Sequence, residues 1–138
     1  MKVKHISEAI LETNLYIEER KQGLIKTIKT PWQKFNDATL GGFEYGDLTI
    51  LAGMSSSGKT AWSAQFIREV HDLNPTEDIC ILFFTFEMPA KKILLRDIIA
   101  NTNVRRKYLL SAQDNIINET QESSVKSYLD TVKHKDIY

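Results

Sequence analysis

The stretch that decides the reading is LAGMSSSGKTAW, Leu51 to Trp62. Within it Gly53, Met54, Ser55, Ser56, Ser57, Gly58, Lys59 and Thr60 match G-x-x-x-x-G-K-[ST] in full. The physics asks for each residue type. The two glycines take conformations that a Cβ forbids and let the backbone approach an anion closely. Successive N–H groups then form a cradle, and a helix starting near Lys59 adds its N-terminal partial positive charge. The Lys59 ammonium can reach outer phosphates. The Thr60 hydroxyl can hold Mg²⁺, which prefers oxygen ligands and phosphate partners. The bland alternative is a glycine-serine turn that merely links two elements.

The flanks suit a phosphate cradle. Before it, DLTILAG (Asp47 to Gly53) reads as a short apolar strand. After it, Lys59 to about Leu73 reads as a helix with Trp62, Phe66, Val70 and Leu73 on one stripe, broken by NPTED. ICILFFTF (Ile79 to Phe86) is continuously apolar, as expected of a parallel strand covered on both faces, and Cys80 within it reads as a core residue. PAKKILLRDIIAN reads as a second helix with Pro89 near its first turn and Ile93, Leu94 and Ile98 inward. Weaker helical character runs from about Glu119 to Lys133, and KDIY reads as the start of a third strand. This alternation implies an α/β fold with a parallel sheet and flanking helices.

Upstream, Ile6 to about Gln22 reads as a helix with Ile6, Ala9, Ile10, Thr13 and Ile17 on one face. Ser7 is its candidate N-cap and Gly23 its stop. Lys26 to Asp47 is turn-rich, punctuated by Pro31, Gly41, Gly42 and Gly46.

Glu87 follows the apolar run directly. In open α/β sheets ligands sit beyond the carboxyl ends of the strands. A carboxylate there can orient a water and take its proton during attack on a γ-phosphate. It can equally cap the helix that follows; position alone leaves both readings open.

The chain has 138 residues, with 18 Lys+Arg, 18 Asp+Glu and one cysteine. That length suits one domain. The charge balance announces no nucleic-acid or membrane partner, and one cysteine allows no intrachain disulfide, which fits a cytoplasmic setting. No signal peptide or membrane span is expected. Arg105, Arg106 and Lys107 read as a solvated basic turn, with a DNA-phosphate contact as the alternative. His5, His71 and His134 show no metal spacing.

The segments TPWQKFNDATLGGFEYGDLTILAGMSSSGKTAWSAQFI and ILFFTFEMPAKKILLRDIIA resemble the RecA-type motor domain of DnaB-family replicative DNA helicases. Gly41-Gly42 and Gly46-Asp47 match the family's lead into the phosphate-loop strand. Thr85-Phe86-Glu87-Met88 matches its Ser-Leu-Glu-Met-like signature, and Arg96 the arginine of the next helix. Thr30-Pro31-Trp32 and Phe35-Asn36 depart from the family's usual Thr-Gly and Leu-Asp. The resemblance implies a RecA-like P-loop NTPase fold, incomplete and preceded by a linker helix: residues 1–25 as linker and 26–138 as a partial motor domain. It implies that Gly53, Met54, Ser55, Ser56, Ser57, Gly58, Lys59 and Thr60 bind ATP, with Thr60 on Mg²⁺ and Glu87 as catalytic base. It also implies a hexameric ring acting on single-stranded DNA in the complete protein. About half of a motor domain is present on this reading, so turnover by the chain alone is not expected. Another RecA-type ATPase, recombinase-like or clock-like, and a non-catalytic nucleotide-binding or assembly fragment stay open beside it.

Overall fold

The computed structural model describes residues 5–111 and 117–138. Residues 1–4 of the expected linker and 112–116 of the expected motor segment lie outside the described residues. The chain divides into two compact units, Met1–Leu51 and Ala52–Tyr138.

The first unit opens with α1, Ile6–Lys21. Its N-cap is His5 rather than Ser7: the His5 ring accepts from the Ser7 N–H at 3.3 Å. Ser7 already lies inside the first turn, and its hydroxyl bonds the same ring at 2.8 Å. Gly23, at φ +70°, ends the helix as expected. Its N–H reaches the Arg20 carbonyl at 3.1 Å and the Leu24 N–H reaches Glu19 at 2.9 Å, a Schellman closure that the left-handed glycine permits. The stripe of Ile6, Ile10 and Ile17 stays exposed. What ties α1 down is polar. Tyr16 donates to Glu44 at 2.9 Å, and Arg20 ion-pairs with Glu44 and donates to the Leu40 carbonyl at 3.2 Å.

Glu44 belongs to β2 (Phe43–Glu44), which pairs antiparallel with β1 (Thr27–Ile28), Thr27 facing Glu44 and Ile28 facing Phe43. Between them lies α2, Gln33–Ala38. Asn36 holds the connection. Its side-chain oxygen accepts from the Thr30 N–H (3.0 Å) and hydroxyl (2.6 Å), while its amide donates to the Thr30 carbonyl at 2.8 Å. Thr30 is thereby buried with its polar groups satisfied. The Phe35 and Phe43 rings pack at 5.1 Å between centroids. Gly42, at φ +120°, passes so close to β1 that a Cβ would collide with the Ile28 carbonyl.

The second unit carries α3 (Lys59–Leu73), α4 (Ala90–Asn101), α5 (Arg106–Leu109) and α6 (Glu119–Lys133). Helices α3 and α6 span the ranges that the sequence suggests. Its small core holds Val70, Ile98 and Val104. The helix ends beside that core are closed by side chains: Asn74 donates to the Val70 carbonyl and Thr102 to the Ile98 carbonyl, both at 2.7 Å. An Asn118–Gln121 capping box starts α6. The basic stretch at Arg105–Lys107 is not a plain turn. It winds into one helical turn, α5, with the Lys107 ammonium 4.8 Å from the Tyr108 ring centre.

The expected strands need correction. Asp47–Gly53 forms no ladder among the described residues. A strand is a paired state, and an apolar run without a partner in reach does not become one. In Ile79–Phe86 only Ile81 is bridged, in parallel to Ile137, with Tyr138 N–H to Ile81 O at 2.9 Å and Phe83 N–H to Tyr138 O at 2.7 Å. KDIY therefore does begin a parallel pairing. The run is covered on one face, not two. Ile79, Ile81, Phe83 and Thr85 are half-buried, whereas Cys80, Leu82, Phe84 and Phe86 are exposed. Cys80 is accordingly no core residue.

Candidate functional site

Lys59 and Thr60 open α3, and the loop before them supplies the rest of the site. Gly58 is the helix N-cap at φ +94°, and Ser56 also lies left-handed at φ +63°. Such alternation of hand along a short loop builds an anion-binding concavity from backbone N–H groups. The first N–H groups of α3 have no intrahelical acceptor and add to it. Gly53 is needed for close approach: a Cβ there would lie 2.5 Å from the Ser57 hydroxyl. The Lys59 ammonium folds back on the loop, donating to the carbonyls of Gly53 at 2.8 Å and Met54 at 2.9 Å. These bonds hold the loop closed around the lysine and leave its third donor for a ligand.

A polar cleft of about 610 Å³ opens on this loop. Ser55, Ser56, Ser57, Gly58, Lys59 and Thr60 line it together with Glu87, Met88 and Arg96. Glu87 is set there by the tight passage from the apolar run into α4. The Thr85 hydroxyl donates to the Met88 carbonyl at 2.9 Å and accepts from its N–H at 3.4 Å, turning the chain around Glu87. Gly53 and Met54 do not line the cleft; they serve through their carbonyls, and the Met54 side chain points to solvent. Arg96 reaches the cleft from α4, whose first residue is Ala90.

Among the described residues no group of three His, Cys, Asp or Glu side chains could hold a metal. A Mg²⁺ site beside a polyphosphate needs no such cluster, since that ion takes few protein ligands and fills its shell with water and phosphate oxygens.

Residues 27–138 match the family described as the DnaB-like helicase C terminal domain. The chain belongs to that family. Among the relatives of the DnaB-like chain is a probable replicative DNA helicase of Guillardia theta, 29% identical over 142 residues, covering 98% of this chain and 23% of that protein. The replicative DNA helicase DnaB of Nostoc sp. is 28% identical over 118 residues, covering 85% of this chain and 13% of its own length. That of Geobacillus stearothermophilus is 29% identical over 108 residues, covering 77% of this chain and 23% of its own. The DnaB-like chain thus spans less than a quarter of the length of these relatives. No helix among the described residues is long and apolar enough to cross a membrane.

Proposed function

We propose that this chain is the nucleotide-binding part of a RecA-like helicase motor, in which ATP hydrolysis drives unwinding of DNA. One observation carries the reading: the phosphate-type loop and Glu87, remote in sequence, line a single polar cleft. The loop amides and Lys59 bind the polyphosphate, and Thr60 holds Mg²⁺. That ion, when bound, neutralises charge on the outer phosphates. Glu87 takes the proton of the attacking water, and Arg96 meets charge on the terminal phosphate. The parallel pairing of Ile81 with Ile137 supports a parallel sheet of RecA type. Residues 1–25 serve as linker and 26–138 as the motor segment. In the complete protein six such motors form a ring around single-stranded DNA.

Titration calorimetry with Mg·ATP tests this directly. The chain binds the nucleotide, and Lys59→Ala abolishes the heat. In the complete protein Glu87→Gln retains binding and loses hydrolysis; unchanged turnover in that variant would remove Glu87 from the role of base. A second reading, a nucleotide-binding assembly fragment without turnover, draws on the exposed Leu82, Phe84 and Phe86. Nucleotide-dependent self-association without phosphate release would favour it.

A further inference from the structure

Asp97 is the point at which three helices of the second unit meet. From α3, the Arg68 guanidinium donates to its Oδ1 at 2.8 Å. From α6, the Tyr128 hydroxyl donates to its Oδ2. Within α4, the Asn101 amide adds a bond to Oδ1 at 3.2 Å. The Asp97 side chain is only 13% exposed and that of Arg68 20%, so this is a sheltered, charge-assisted junction rather than a surface ion pair. Burial works against the Arg68 charge, but Glu69, at 2.6 Å, and Asp97 outweigh it and push the guanidinium pKa above its ordinary value. Burial first, and then the bond to Asp97, raise the Tyr128 phenol. Arg68 and Tyr128 therefore keep the protons that the junction needs near neutral pH.

The junction has a definite relation to the cleft. Arg96 and Asp97 are neighbours on α4, about 100° apart around its axis. Arg96 lines the phosphate cleft, while Asp97 faces Arg68 and Tyr128. A roll or slide of α4 that moves one moves the other. Glu87 lies just ahead of the same helix. Arg68, in turn, sits on the helix whose first residues are Lys59 and Thr60. The Arg68–Asp97 bond thus joins α3, whose first residues line the cleft, to α4, which carries Arg96 into it, and Tyr128 braces it from α6.

Resting on the nucleotide site proposed above, we propose that Asp97, Arg68 and Tyr128 are positioning residues that set the Glu87–Arg96 wall against the phosphate loop. They do so for the terminal phosphate in particular. The loop amides by themselves cradle the inner phosphates, so ADP is held chiefly by residues 53–60. Only the γ-phosphate needs Glu87 and Arg96 at their correct distance.

The test is calorimetry of the whole chain with Mg·ATP and, separately, Mg·ADP, for the wild type, Tyr128→Phe and Asp97→Asn. Arg68→Lys, which keeps the charge but loses the forked donor, is included as a variant less prone to misfold. Circular dichroism checks the fold of each, and Lys126→Ala on the solvent face of α6 is the control. Loss of one hydrogen bond of this kind is expected to weaken ATP about three- to tenfold and leave ADP within about twofold. A junction that merely held the fold together would weaken both nucleotides by the same factor, and that result overturns the proposal while leaving the site intact. A wild-type chain that binds neither nucleotide overturns the nucleotide site itself, and the positioning role falls with it.

Discussion

At the scale of single residues, each unit depends on backbone conformations that side chains oppose. Gly42 is the plainest case, because a methyl group there meets backbone, not a movable side chain. Gly42→Ala is expected to destabilise the first unit by more than about 1 kcal/mol, seen as a lower urea midpoint. Gly53 differs, since its neighbour is the Ser57 hydroxyl, which can rotate. Gly53→Ala is therefore expected to fold and to bind Mg·ATP more weakly, and the double variant with Ser57→Ala to recover part of that loss by calorimetry. The left-handed Gly58 and the start of α3 at Lys59 were legible because the motif names backbone requirements one residue at a time. His5 as the cap of α1 was not legible, since the ring nitrogen is a rare stand-in for a hydroxyl or carboxylate. Asn36 stands where the resemblance leads one to expect an aspartate. Its amide supplies both an acceptor and a donor to Thr30, where an ionised aspartate would only accept.

At the scale of elements, the helices followed from local signals. Helix α3 begins at the lysine of the motif and closes at Asn74, whose side chain returns to the last turn. Helix α6 starts at a capping box with bonds of 2.8 and 3.3 Å, and Asn118→Ala is expected to cost about 1 kcal/mol in thermal or urea unfolding. Its Tyr128 makes a further expectation. The folded-state pKa of the phenol is raised above its ordinary value of 10.0, by burial and then by the bond to Asp97. The unfolded chain thus ionises first. The contribution is complete below about pH 10 and is lost as pH rises beyond it. Urea midpoints of the wild type should fall more steeply above about pH 10 than those of Tyr128→Phe. The strands were legible only as apolar runs. Ile79–Phe86 shows the limit, because a continuous apolar stretch does not say which face will find a cover. Here the odd positions did and the even positions, Cys80 among them, did not.

At the scale of the whole molecule, the chain presents large apolar side chains to solvent, including Leu82, Phe84 and Phe86 in one alternating row. An exposed apolar strand with unpaired backbone groups promotes association. Light scattering is expected to show concentration-dependent self-association, reduced by Phe84→Glu; a monomer at all concentrations would refute it. Taken alone, the sequence determined whatever is local: the glycine-serine loop ahead of Lys59, the four long helices, and the family to which residues 27–138 belong. Its three separate chemical signals, the loop, Glu87 and Arg96, carried no statement of distance. Only tertiary structure decided that they share one cleft, that Arg68, Asp97 and Tyr128 meet, and that the apolar runs pair at Ile81 alone in one of them and not at all in the other. The reason is physical. A helix satisfies its backbone within a few residues, whereas a strand, a cleft and a buried ion pair exist only through partners distant in the chain.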